Sequence, residues 1–424
     1  MSAPAKRGDV ATAARRGQGP GGGSLGARLA GFFAVLLFAL VAGPARAVPI
    51  STGDADRVDL TAAAQWCETS AEVDERAVAA GACRFVAADA EALSVGYTAR
   101  AQWLRLALEG AEETPSRRLL TIGNARLERV AFFDLSEGGV RHLGVTGLAV
   151  PPAERIVAGD HPQLAVTLAP GERRTLLVRV VSRSTINLTP VLWRERAWAD
   201  SHGRFVFDLT LANGGLVATG LLSLLIGLGP GVSQWSRRAN LFFAAGSFAK
   251  AWFNLANTAL LPIYLLPRDH AYDIRTQAVA LAASLVFSLL FMRHFLEARR
   301  RHPGLDAMLL GLVGLVTAET VWALVDYRSG FLAMVATGAA TTVMCFVAAW
   351  RARRDGIPGA TALAMAWSVY LVLLVHRVVL AIAGGVFADA MVVAYSWAAL
   401  ASAPLVPIGI ALHEEAIRRD LAAA

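Results

Sequence analysis

The chain has 424 residues, of which 55% are hydrophobic and only 17% charged, against roughly 25% charged in an average soluble protein. Its formal charge of +7 does not make it a nucleic-acid binder, because that role needs basic residues gathered on one soluble face and here the arginines sit at the ends of apolar runs. Three cysteines, Cys67, Cys83 and Cys345, are too few for a disulfide scaffold and lack zinc-site spacing, so a membrane protein with one modest soluble domain is left.

Residues 1–47 read as a secretory signal peptide. Lys6, Arg7, Arg15, Arg16 and Arg28 precede an apolar stretch, and Pro44-Ala45-Arg46-Ala47 offers cleavage before Val48. An uncleaved anchor is the alternative, but about fourteen apolar residues fall short of the ~20 that cross ~30 Å of hydrocarbon. Either way, residues 48–200 are expected outside the cytoplasm.

In that exported segment the hydrophobic period becomes two. Leu104, Leu106 and Leu108 alternate with Trp103, Arg105 and Glu109, and Leu176, Val178 and Val180 alternate with Thr175, Leu177 and Arg179. Such alternation marks half-buried strands, and further strands are expected at 118–122, 128–134 and 140–145. Pro170-Gly171 supplies a tight turn. Several short strands punctuated by turns argue for an antiparallel β-sandwich. Cys67 and Cys83 both lie in this oxidising compartment, and a disulfide between them would close a loop of about 17 residues, stabilising by ~3 kcal/mol. Two buried free thiols are the alternative.

From 204 to 412 the sequence becomes a series of seven apolar segments, at 205–228, 239–261, 274–295, 305–326, 331–350, 360–384 and 387–412, each able to cross a bilayer as a helix. With the exported domain leading into the first, eleven arginines fall in the inner loops and tail, while only Arg268 and Arg328 fall in the outer loops. The positive-inside rule then makes the carboxyl terminus cytoplasmic. The fold class is therefore an α+β membrane protein, a periplasmic sandwich followed by a seven-helix bundle.

Ionisable and amide side chains inside such helices are costly and carry a functional expectation. Lys250, Asn254 and Asn257 fall on the second helix, Glu319 on the fourth, and His376 and Arg377 on the sixth. Glu319 is expected to pair with Lys250 or Arg377 in a polar pocket under the exported domain; a purely structural ion pair, or side chains reaching to the outer interface, is the alternative. Pro404 and Pro407 interrupt the last helix and are hinge candidates.

No catalytic constellation is found: there is no G-x-S-x-G elbow, H-E-x-x-H motif or phosphate-binding loop. Of the histidines, His294, His376 and His413 are too separated to share a metal, so neither a metal nor another cofactor is expected. Residues 413–424 read as a short cytoplasmic tail, and no effector domain is expected in them.

More specific than this layout are short motifs within the exported segment. Ser94-Val95-Gly96-Tyr97-Thr98 with Gln102-Trp103-Leu104-Arg105, Ile122-Gly123-Asn124 with Leu127-Glu128-Arg129-Val130, Pro170-Gly171-Glu172 and the closing Pro190-Val191-Leu192-Trp193 resemble the type-2 extracellular domain of the bacterial seven-transmembrane receptors with diverse intracellular signalling modules. The resemblance covers about residues 55 to 412. It implies a jelly-roll domain that binds carbohydrate or another small ligand, a bacterial inner-membrane location and, by analogy, a homodimer. Members of that family usually end in a kinase, cyclase or phosphatase; none is expected after residue 412 here, so a separate cytoplasmic signalling protein is the expected partner. Ligand-binding candidates are Trp103 and Arg105, on the face opposite the leucines, with Asn124, Arg126 and Trp193 as neighbours. An exposed aromatic ring beside Arg and Asn suits a sugar; packing of the second face, or contact with the membrane domain, is the alternative. The competing function is a transporter or accessory membrane subunit, supported by the intramembrane polar residues and weakened by an odd helix number without evident repeats.

Overall fold

A computed structural model describes residues 55–89, 92–110, 116–135, 139–266, 271–382 and 389–423. The expected signal peptide and Arg268 lie outside these residues. The alternating segments fold as ten strands: β1 Arg57–Asp59, β2 Ala64–Thr69, β3 Val86–Ala87, β4 Ala101–Glu109, β5 Ser116–Ile122, β6 Arg129–Asp134, β7 Arg141–Thr146, β8 Gln163–Leu168, β9 Arg173–Val181 and β10 Pro190–Arg194. They form two antiparallel sheets, in the orders β1-β10-β5-β8 and β3-β2-β4-β9-β6-β7.

Register decides which side chains meet between the sheets. Leu104 stands opposite Val178 and Val130 opposite Val180, and these residues join Leu120, Ile122, Leu164 and Leu192 in one shared core. The other parity of the six-stranded sheet is also covered: Trp103, Ala131, Phe133 and Leu177 pack with Cys67 and Val78 in a second cluster. A disulfide joins Cys67 to Cys83 and ties the 75–83 segment over that face. Replacing both cysteines by serine is expected to destabilise the domain by about 2–4 kcal/mol, read as a lowered melting temperature that reductant lowers no further.

Strand β10 runs straight into α1, Glu195–Leu228, with Arg194 as the helix N-cap and no linker. The helices that follow are α2 Gln234–Asn257, α3 Arg275–Phe295, α4 Pro303–Val325, α5 Tyr327–Arg354, α6 Ala360–Ile382, α7 Asp389–Ser402 and α8 Leu405–Ala423. Six helical stretches among the described residues are long and apolar enough to cross a membrane, with α7 and α8 counted as one. Helix α2 has the length, but Arg237, Arg238, Lys250 and three asparagines lower its hydropathy. At 1.5 Å per residue, the 34 residues of α1 span about 51 Å, well beyond the ~30 Å of a bilayer core. Its first turns therefore stand clear of the hydrocarbon and lie against β5 and β10.

Instead of one continuous last helix, the chain breaks between α7 and α8 at Ala403 and Pro404. Proline has no N–H to continue the ladder. Pro407 lacks the N–H that would bond the Ala403 carbonyl in a continuous helix and is tolerated in the first turn of α8, so both prolines favour the break. Cys345 lies in the bundle core, in one buried cluster with Leu289, Phe291 and Met292.

Candidate functional site

The sheets meet the helices at a seam built on one glycine turn. Gly123 has φ +61°, and a Cβ there would lie 2.4 Å from the Asn187 carbonyl oxygen, so only glycine fits. The turn that follows is fixed by Asn124, whose Oδ1 accepts from the Arg126 backbone N–H at 2.9 Å. Arg126 then reaches the membrane domain, its Nη1 donating to Asn257 Oδ1 at the end of α2 over 3.1 Å. Beside it, Ala125 and Leu148 are buried with Leu261, Tyr272, Ile274, Tyr327 and Phe331 of the helical half.

Two further polar links frame this apolar patch. Arg328, at the start of α5, donates to the Thr98 carbonyl at 2.6 Å. Arg183, after β9, forms a pair with buried Glu128 at 2.7 Å and also lies 3.6 Å from Asp273, just before α3. The hydrogen bonds to Glu128 raise the Arg183 guanidinium above its ordinary pKa, against the effect of burial. One face of the domain thus touches the ends of α2, α3 and α5, while β10 grips α1 covalently.

A second contact joins the loop before β8 to the first turns of α1. His161 Nδ1 and His202 Nε2 lie 3.1 and 3.2 Å from the same oxygen, Asp160 Oδ1. Trp198 stacks on His202 at 5.1 Å and meets His161 edge-on at 5.4 Å. Burial would raise the Asp160 carboxyl, but the charge and hydrogen bond of His161 and the charge of His202 outweigh it and hold the pKa below the usual carboxylate value. Among the described residues this is the one group of three or more His, Cys, Asp or Glu side chains whose ligand atoms all lie within 4.8 Å of one another. The sequence gives it no signal, since His161 and His202 are distant in the chain and only the histidines of the helices invited a metal test.

The five ligand candidates do not converge. Trp103 is 0% exposed and donates from Nε1 to Thr69 Oγ1 at 2.8 Å; the exposed ring expected there is corrected, because the disulfide-tied segment covers that face. Arg105 donates to Gln65 Oε1 at 2.6 Å and lies over the Phe85 ring at 4.6 Å. Half-buried Trp193 is on the opposite sheet, where its Nε1 donates to Thr121 Oγ1 at 3.1 Å, Arg57 lies over its ring and Trp198 abuts it. Asn124 and Arg126 belong to the seam.

Nor does the intramembrane set form one pocket. Glu319 accepts from Thr337 Oγ1 at 2.7 Å and is not joined to Lys250 or Arg377. Helix α4 packs on α3 and α5, whereas α2 packs on α1 and α3, so α3 separates Glu319 from Lys250. Asn254 donates to Asn213 on α1 at 3.0 Å. Lys250 lines a separate cavity of about 150 Å³ with Ser247, Ser284, Tyr370 and Ser402. His376 is half-buried on α6, and exposed Arg377 lies against Tyr395 of α7.

At the opposite end of the bundle α8 is docked. Its His413 stacks on Trp235 with centroids 4.3 Å apart, and Glu414 accepts from Ser233 Oγ at 2.5 Å. Gly359, at φ +78°, lets the start of α6 approach α8 so closely that a Cβ would lie 2.1 Å from the Gly409 carbonyl oxygen. The last helix is thus fixed to the α1–α2 and α5–α6 turns.

Comparison with known proteins covers both halves. Residues 64–194 match the family model described as 7TMR-DISM extracellular 2, and residues 210–412 match the one described as 7TM diverse intracellular signalling. No curated protein matches the chain. The two matches put an extracellular domain before a membrane domain, in the order in which the chain carries its two sheets and its helices. The chain belongs to the seven-transmembrane receptors with diverse intracellular signalling modules, as a multi-pass membrane protein with an N-terminal extracellular domain.

Proposed function

We propose that the protein is a receptor of a bacterial inner membrane that reads a small periplasmic ligand, of the carbohydrate type, and passes the signal to a separate cytoplasmic signalling protein. It acts without catalysis of its own and works as a homodimer. The observation that carries this reading is the seam: β10 continues into α1 without a linker, and Arg126, Arg183 and Arg328 reach from one half to the other. A ligand that prefers one arrangement of the sheets shifts the helices by its differential affinity for the two states. At the far end, α8 is packed on the turns between other helices, which suits it to present the change to a partner.

The test is crosslinking in the native cell followed by purification through a carboxyl-terminal tag. Recovery of a kinase, cyclase or phosphatase that is lost when residues 413–424 are deleted, with the tag moved to residue 412, is the expected result. Recovery of transport components alone would replace this reading with the transporter or accessory one. The Lys250 cavity favours that second reading to a degree, since an amine facing serines and a tyrosine can hold an anionic solute. Solute uptake that depends on the protein and fails in Lys250→Met would establish it.

A further inference from the structure

The group at the head of α1 has the composition and spacing of a metal site. Zinc-like ions bind imidazole nitrogen and carboxylate oxygen at about 2.0–2.2 Å. Two ligands on such an ion, at tetrahedral to octahedral angles, stand roughly 3.0–3.4 Å apart. His161 Nδ1 and His202 Nε2 lie 3.1 and 3.2 Å from Asp160 Oδ1, which matches two edges of such a polyhedron, and the three donor atoms all lie within 4.8 Å of one another.

A second observation points the same way. Asp160 Oδ2 is buried and has no hydrogen-bond partner among the described residues, although a buried carboxylate oxygen ordinarily finds one. The surroundings also do what outer-shell partners do for metal ligands, which is to fix their orientation. Trp198 stacks on His202, and Phe205 meets His161 edge-on at 5.8 Å. Arg155 is the opposing feature, a cation facing Asp160. Its Nε and Nη1 donate to the Val150 and Gly159 carbonyls, while Nη2 is buried without a hydrogen-bond partner, so its charge competes with a bound cation and weakens the site.

We propose that Asp160, His161 and His202 bind one divalent transition-metal ion of the zinc class on the extracellular side of the membrane, with a further coordination position open to water or ligand. Two imidazoles and one carboxylate suit zinc, copper or nickel over calcium or magnesium, which take oxygen ligands. Its place in the chain gives the ion a mechanical effect. Asp160 and His161 precede β8 and His202 lies two turns into α1, so a bound ion clamps the extracellular domain to the first helix. This inference does not depend on the receptor reading, and its test reads metal rather than signalling.

The experiment uses the full chain in detergent, purified through a tag without histidine and stripped with chelator. Titration with Zn²⁺ is expected to show one saturable equivalent per chain with a dissociation constant below about 10 μM, and a raised melting temperature. His202→Gln and Asp160→Asn are each expected to weaken binding by more than about 100-fold, since losing even an outer-shell partner costs roughly 10- to 100-fold. Should either variant fold poorly, the wild type decides alone. Loaded with one equivalent of Cu²⁺, it is expected to give an electron paramagnetic resonance spectrum with nitrogen hyperfine structure from two imidazoles. Absence of saturable binding, equal binding by well-folded variants, or a spectrum with oxygen ligands only would each overturn the site.

Discussion

Replacing Trp103 by alanine is expected to destabilise the extracellular domain by about 3–5 kcal/mol, the usual loss when a fully buried large aromatic side chain is truncated. The residue is 0% exposed, its ring packs among Cys67, Phe133 and Leu177, and its Nε1 bonds Thr69. Truncation leaves both a cavity and a buried hydroxyl that has lost a donor, and the two costs act together. Denaturant unfolding monitored by tyrosine and tryptophan emission measures the loss. Trp103→Phe separates packing from recognition: it keeps most of the volume and is expected to cost under half as much. If Trp103→Ala were nearly neutral in stability, the ring would not be a packing element of this domain, and a surface role would replace it.

The same residue shows what a sequence can and cannot reveal about this fold. Period-two alternation correctly separates Leu104 and Leu106 from Trp103 and Arg105, because strand geometry alone sets that parity. Whether the second face meets water is not a property of the strand. Here the disulfide-tied 75–83 segment covers the inner part of that face, so Trp103 is buried while Arg105, two residues along, lies half-buried across Phe85. The membrane helices were legible because hydrocarbon demands long apolar runs. Pairing among their polar residues was not, since depth along a helix says nothing about which neighbour lies beside it. Glu319 was expected to pair with Lys250 or Arg377, yet α3 stands between Glu319 and Lys250.

The seam was legible only in fragments. Asn124, Arg126 and Asn257 were each singled out, but in two separate sets, and the bond between Arg126 and Asn257 spans 131 positions. No local pattern encodes such a meeting. The Asp160, His161 and His202 group was missed for the same reason, with an added one: its three residues lie on a loop and a helix that the sequence assigned to different domains. The boundary drawn at residue 200 cuts through α1, which begins at Glu195. Continuity between domains is therefore where single-sequence reading fails most in this protein, and also where its proposed signal must travel.

Glu128→Ala is the substitution expected to loosen that route most. Glu128 Oε2 accepts from the Arg183 backbone N–H at 2.5 Å, and both its oxygens accept from the Arg183 side chain, which in turn lies 3.6 Å from Asp273. Removing the carboxylate strands a guanidinium that is 40% exposed. The cost is therefore about 2–3 kcal/mol, below the roughly 3–5 kcal/mol of a fully buried pair broken on one side. The shared core of the two sheets contains neither residue, so the loss is expected to fall locally on the seam. Hydrogen exchange of the whole protein in detergent separates the two possibilities. Amides in 271–277, and Gly96, which bonds to Ile186, are expected to exchange faster. Amides of β4 and β9, which pair over eight residues, are expected to keep their protection. Uniform loss of protection would mean that Glu128 holds the extracellular domain together rather than joining it to the helices, and unchanged exchange at 271–277 would remove the Arg183 link from the coupling route. Because local opening and global unfolding have different free energies in one molecule, a single exchange profile distinguishes these outcomes.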